Sequence, residues 1–211
     1  MKKETLLLYA ITDSGCIGNR DFYAEVENAL KGGVTILQLR EKNLSAQQLT
    51  EKARKLKTIC HSYHVPLIVN DDVQAAIESG ADGVHVGAED MDVARIRRMA
   101  GEGFIIGATA KTLEQAKKAE KDGADYLGCG ALFASVTKQN ARPMTIETLI
   151  AITEAVHIPV VAIGGLTYDN LSVIQNSGVS GAAMVSAVFA ADDVRAAAAM
   201  LKERLQGIIK E

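Results

Sequence analysis

Three short stretches of the chain concentrate side chains suited to a charged substrate. The first is Gln38-Leu39-Arg40-Glu41-Lys42, in which an amide and two cations alternate. On an extended strand that spacing puts positions 38, 40 and 42 on one side. Such a group suits an anion: arginine grips phosphate with a planar fork, and lysine adds a point charge. The plainer alternative is a solvated strand end with an ion pair to Glu41. The other two stretches are acidic, Asn70-Asp71-Asp72 and Gly87-Ala88-Glu89-Asp90-Met91-Asp92. Crowded carboxylates are costly unless a cation or a helix start uses them. Asp71 and Asp90 are suited to share one magnesium, a hard ion that takes oxygen ligands and bridges to phosphates. Asp72 and Asp92 are better suited to cap the helices that follow.

Further candidates are less concentrated. Thr109, in Gly107-Ala108-Thr109-Ala110, offers a hydroxyl. Ile163-Gly164-Gly165 and Met184-Val185-Ser186 offer backbone N–H groups with room for close approach, unless the glycines merely serve a tight turn. The longest expected loop, 131–145, carries Ser135, Thr137, Lys138 and Arg142. Loops of that length are often functional. Histidine gives no catalytic frame: His61 and His64 fall on a helix and His157 precedes a strand. His85 is expected to be a satisfied core histidine. Cys16, Cys60 and Cys129 are far apart, odd in number and without C-x-x-C spacing. That argues against a disulfide framework, a zinc site or thiol catalysis.

These residues must be positioned by a regular scaffold. Short β-branched runs occur at 6–12, 35–40, 66–70, 83–86, 104–110, 126–130, 159–165 and 181–186. Helical segments are expected between them, with clear periodicity at 46–64, 113–121, 146–156 and 193–209. Apolar runs without strict alternation indicate parallel strands covered on both faces. A repeat supports the count of eight. Lys31-Gly32-Gly33-Val34, Ser79-Gly80-Ala81-Asp82, Asp122-Gly123-Ala124-Asp125 and Ser177-Gly178-Val179-Ser180 precede the second, fourth, sixth and eighth runs. The expected fold is α/β, a (βα)8 TIM barrel in a single domain over residues 1–211, in preference to an open doubly wound sheet. In a barrel the strand ends named above share one mouth, and the loops after strands seven and eight commonly take phosphate.

Composition narrows the partners. Hydrophobic residues make up 48% and aromatics 4%, with no Trp, so the core must be aliphatic. A net charge of −3 offers no basic surface for nucleic acid. Met1-Lys2-Lys3-Glu4 leads into only a short apolar run, without a signal-like segment or an 18-residue apolar stretch. The expectation is a cytoplasmic protein with small-molecule partners, no membrane and no nucleic acid, and a homo-oligomeric state left open.

Six segments in order give the chain a family resemblance. They are Gln38-Leu39-Arg40-Glu41-Lys42; Val69-Asn70-Asp71-Asp72; Gly83-Val84-His85-Val86-Gly87 with Glu89-Asp90-Met91; Ser135-Val136-Thr137-Lys138; Ala162-Ile163-Gly164-Gly165; and Val185-Ser186-Ala187. Together they resemble the thiamine phosphate synthase family along nearly the whole chain. The resemblance implies that Gln38, Arg40, Lys42, Asn70, Thr109 and Lys138 meet a pyrimidine diphosphate. It implies that Asp71 and Asp90 hold Mg2+, and that Ser135, Thr137, Gly165, Val185 and Ser186 meet a thiazole phosphate. Arg40, Lys42 and Lys138 would be the catalytic cations. The family's usual Pro-x-Phe-Pro-Thr is replaced by Ala131-Leu132-Phe133-Ala134-Ser135, which removes loop stiffness. Ala88 stands where Gln is common, and Thr109 where Ser is.

Three other functions compete with this one. A thiazole tautomerase-like relative tends to lack the paired aspartates. A non-catalytic regulator binding thiamine precursors would be supported only by the changes at 131, 134 and 135. A sugar-phosphate isomerase would need an acid/base pair that the sequence does not offer.

Overall fold

The structure is a computed structural model that describes residues 1–87, 90–133 and 143–209. Eight strands pair in chain order, all parallel: β1 Leu8–Ile11, β2 Ile36–Leu39, β3 Leu67–Asn70, β4 Gly83–Val86, β5 Ile105–Ala110, β6 Tyr126–Gly130, β7 Val160–Ile163 and β8 Gly181–Met184. Pairing of Tyr9 with Ala183 closes β8 onto β1, so the expected barrel is the fold observed.

Strand alternation divides the core into two layers. Tyr9, Ile11, Ile36, Ile68, Tyr126, Val161 and Ala183 fill the barrel interior with Leu6. Their neighbours Leu8, Ala10, Leu37, Leu67 and Leu127 face outward to a larger aliphatic layer shared with the helices. Both strand faces are therefore buried, which is why the runs look continuously apolar. Two tyrosines inside so small a barrel need space, and glycine supplies it. A Cβ on Gly107 would stand 2.1 Å from Tyr126 Cζ and 2.5 Å from His85 Nδ1. One on Gly128 would stand 3.0 Å from His85 Cε1.

The sequence repeat has one structural job. Thr35, Asp82, Asp125 and Ser180 lead into the even strands; the last three end their copies of the repeat, and Thr35 stands one residue after the first. Their N–H groups donate to Leu8, Leu67, Ile106 and Val160 carbonyls at 2.7–3.0 Å. In three copies the side-chain oxygen also accepts the N–H of that same odd-strand residue: Thr35 from Leu8, Asp82 from Leu67 and Asp125 from Ile106. Each lock fixes an even strand against its odd neighbour at the N-terminal end of the barrel.

The connections are α1 Ser14–Ile17, α2 Phe22–Lys31, α3 Ala46–Ser62, α4 Val73–Ser79, α5 Val93–Ala100, α6 Leu113–Lys121, α7 Ile146–Ala155, α8 Ser186–Phe189 and α9 Val194–Ile208. Asp72 and Asp92 cap α4 and α5, as their positions suggested. Between β7 and β8 lies only a one-turn 3-10 helix, Leu171–Ile174, where a longer helical segment was expected. Packing at the chain's end is close: a Cβ on Gly32, after α2, would meet Ala198 of α9 at 2.6 Å. Among the described residues, no helix is long and apolar enough to cross a membrane.

Candidate active site

Arg40, Lys42, Asp71, Asp90, Gly165, Val185 and Ser186 follow the C-terminal ends of their strands, Asn70 and Thr109 stand at or near the ends of theirs, and Gln38 lies deeper in β2. Arg40 follows β2, where its N–H donates to Thr12 Oγ1 at 3.0 Å. Its Nη1 lies 3.6 Å from Asp13 Oδ2, and only 12% of its side chain is exposed. Glu41 pairs instead with Lys52 at 3.7 Å and accepts from Ser14. The Glu41 ion pair thus belongs to α3 rather than to Arg40 or Lys42. Lys42 is exposed and forms no ion pair among the described residues. Gln38 departs from its neighbours: it is 2% exposed and turns its amide into the barrel.

The acidic residues stand at adjacent strand ends. Asp71 follows Asn70 and takes a left-handed backbone with φ of 63°. Its N–H donates to the His85 carbonyl at 2.8 Å, which ties the end of β3 to β4. Asp90 closes a turn after β4, where its Oδ2 accepts the Gly87 N–H at 2.6 Å. A Cβ at position 87 would stand 2.8 Å from that oxygen, so glycine suits the turn. Both aspartates are exposed. Among the described residues there is no cage of three or more His, Cys, Asp or Glu. Exposed carboxylates following adjacent strands are hard oxygen donors of the kind magnesium takes.

Inside the mouth runs a line of polar side chains that sequence reading missed. Gln38 Nε2 donates to Tyr9 Oη at 2.7 Å, and Tyr9 and Tyr126 share a 2.7 Å hydrogen bond. Tyr126 Oη lies 3.1 Å from His85 Nδ1, and His85 Nε2 lies 3.1 Å from Thr109 Oγ1. Burial pushes both phenols well above their usual pKa; the hydrogen bonds that Tyr9 shares with Tyr126 and accepts from Gln38 offset only part of that for Tyr9. His85 is half-buried rather than a core residue, with both ring nitrogens hydrogen-bonded as expected of a satisfied histidine. The available signal was a tyrosine on each of two buried strands, since a buried phenol usually needs a partner.

The opposite rim is built from backbone. Gly164 and Gly165 take φ of 102° and 63°, which side chains rarely adopt. Asn170 holds the turn: its Nδ2 donates to the Gly165 carbonyl at 2.9 Å and its Oδ1 accepts the Thr167 N–H at 2.8 Å. Val185 precedes α8 and Ser186 opens it, exposed. Ser135, Thr137 and Lys138 lie outside the described residues. One foot of their segment is pinned at the end of β7, where Leu132 and Phe133 donate to the Ile163 and Gly164 carbonyls, and Met144 at the other foot donates to the Ala131 carbonyl. A cavity of about 440 Å³ lies at the other end of the barrel, lined by Lys2, Thr35, His64, Glu102 and Asp125. None of the candidate residues borders it.

Thiol chemistry has no foothold here. All three cysteines are free, and burial pushes the Cys60 and Cys129 thiols up to about 12.

Known proteins match this arrangement along the chain. The family model for thiamine monophosphate synthase matches residues 8–188, from β1 into α8. A thiamine-phosphate synthase of Alkaliphilus oremlandii is 44% identical over 199 residues, covering 94% of this chain and 95% of that protein. A thiamine-phosphate synthase 2 of Streptococcus pneumoniae is 42% identical, covering 99% of this chain and all of that protein. The solved thiamine phosphate pyrophosphorylase of Pyrococcus furiosus superposes with a TM-score of 0.90 at 38% identity, covering 99% of each chain. With a family model over most of the chain, full-length relatives 44% and 42% identical and the same barrel in a solved relative, the chain belongs to the thiamine monophosphate synthase family of transferases.

Proposed function

We propose that this chain joins 4-amino-2-methyl-5-hydroxymethylpyrimidine diphosphate to thiazole phosphate, or its carboxylate, giving thiamine phosphate and pyrophosphate. The observation that carries the reading is one rim with Arg40 and Lys42 after β2 and exposed Asp71 and Asp90 after β3 and β4. Cations there meet the diphosphate, and Asp71 and Asp90 would hold magnesium. When bound, that ion supplies charge neutralisation at diphosphate oxygens.

The bond between the pyrimidine methylene and the diphosphate oxygen breaks, and its electron pair leaves with pyrophosphate. Arg40, Lys42 and Lys138 offset the negative charge that grows on the leaving group, which is where electrostatic stabilisation accelerates a reaction most. The aminopyrimidine ring shares the positive charge left on its methylene. The thiazole nitrogen then gives its lone pair to that carbon. Gly165, Val185 and Ser186, with Ser135 and Thr137, position the thiazole phosphate, so proximity supplies much of the rate. No protein nucleophile is required. Free cysteines suit a cytoplasmic location.

Release of pyrophosphate is the test. It should need both organic substrates and magnesium together. Binding of the substrates without release would reject the reading.

A further inference from the structure

Arg20, in the connection between α1 and α2, commits its guanidinium to backbone. Its Nε donates to the Ile17 carbonyl at 3.0 Å and its Nη2 to the Cys16 carbonyl at 3.4 Å, both at the C-terminal end of α1. Its Nη1 donates to the Ala191 carbonyl at 2.7 Å, and Nη2 donates also to the Phe189 carbonyl. Those two carbonyls lie at and just beyond the C-terminal end of α8. Glu25 Oε2 balances the charge 3.8 Å from Nη1. Carbonyls at a helix end lack partners within the helix, and a cation is favoured there. A planar fork can serve two such ends at once, because its N–H groups point in different directions.

The Phe189 carbonyl matters because of what shares its peptide plane. That plane also carries the Ala190 N–H, which donates to the Ser186 carbonyl at 3.0 Å. The Phe189 N–H donates to the Val185 carbonyl at 2.9 Å. Arg20 thus holds one side of a rigid peptide whose other side holds Ser186. A single turn such as α8 is too short to keep its own shape. Burial of Val188 and Phe189 keeps it on the barrel, but apolar burial is non-directional. The hydrogen bonds from Arg20 are directional and set how the turn is oriented. The start of α1 is held separately: Asp13 Oδ1 accepts the Gly15 and Cys16 N–H groups, and Oδ2 faces Arg40.

We propose that Arg20 is a positioning residue for thiazole phosphate: by holding the Phe189–Ala190 peptide it fixes Val185 and Ser186, the rim assigned to that substrate. Arg20 itself touches no substrate in this account, since carbonyls of the chain take four of its N–H groups. The proposal rests on the reading of that rim as a thiazole phosphate site.

Steady-state pyrophosphate release by the full chain tests it, with each organic substrate varied while the other and magnesium are saturating. Arg20→Lys keeps a cation but gathers its donors on one atom, which cannot serve carbonyls on both helices. Its KM for thiazole phosphate should rise roughly tenfold or more, since a small misplacement of a positioning group is costly. Its KM for the pyrimidine diphosphate should stay within about twofold of wild type, because Asp13 holds Arg40 without Arg20. Arg20→Gln makes the same comparison if Arg20→Lys does not fold. A lower thermal midpoint with both KM values unchanged marks a merely structural role and overturns the proposal. Both KM values raised alike mark a general loosening of the mouth and overturn it too. In either case a wild type that releases pyrophosphate leaves the proposed function standing. A wild type that releases none defeats the proposed function, and this proposal with it.

Discussion

Arg40 Nη1 stands 3.6 Å from Asp13 Oδ2, with most of the arginine side chain covered. The cation proposed to meet the diphosphate is thus held by an ion pair within the chain itself. A held guanidinium has lost part of its side-chain entropy already. Arg40→Lys keeps the charge and loses the fork. Its kcat/KM for pyrophosphate release should fall roughly 10- to 100-fold with the thermal midpoint unchanged. Wild-type kinetics in the lysine variant would show that the fork has no role.

The interior glycines make a stability prediction. Gly107→Ala places a methyl group against Tyr126 and His85, neither of which can withdraw from the barrel without breaking the polar line. Overpacking of this kind costs about 1–3 kcal/mol. The urea midpoint should drop accordingly, with the slope unchanged. An alanine variant as stable as the wild type would mean that the interior is looser than its distances suggest.

Asp82 predicts an acid-side dependence of stability. Burial works to raise its pKa, but hydrogen bonds from Lys57 Nζ, the Leu67 N–H and His61 hold the carboxyl below its ordinary 3.8. A carboxylate whose folded pKa is depressed stabilises the fold above the unfolded value. That contribution is lost as pH falls through the folded value. Wild-type unfolding free energy should therefore decline between about pH 5 and pH 3, and Asp82→Asn should flatten the decline. Parallel curves for the two proteins would contradict the lock's electrostatic part.

The aspartate after β3 separates metal binding from backbone. Asp71 has a left-handed φ that asparagine tolerates, so Asp71→Asn preserves the turn while removing the charge. Pyrophosphate release should fall roughly 100-fold or more, because several kcal/mol of charge stabilisation goes with the metal. Circular dichroism should be unchanged. Full activity at low magnesium in this variant would remove Asp71 from the metal site.

Much of this architecture was legible because it follows from local rules. Eight apolar runs and four glycine-centred loops were enough to indicate the closed barrel, since each Gly turn delivers an even strand to its lock. Asp72 and Asp92 were separable from Asp71 and Asp90 because capping needs a residue just before a helix. The helices Val73–Ser79 and Val93–Ala100 were not read from periodicity, being two turns or so in length, and Phe22–Lys31 was not read either. The inward line from Gln38 to Thr109 was hidden for another reason. Tyr9 and Tyr126 are 117 residues apart, and only barrel closure brings their oxygens together. Gln38 looked like a rim residue because its spacing with Arg40 and Lys42 is regular, but it belongs to the buried strand while they follow its end.

A crystal soaked with thiamine phosphate, pyrophosphate and magnesium would test the central assignment most directly. The expected density is a metal contacting Asp71 and Asp90, with pyrophosphate between it and the Arg40 guanidinium. Pyrophosphate bound away from these residues, for example in the cavity beside Lys2 and His64 at the barrel's other end, would contradict it.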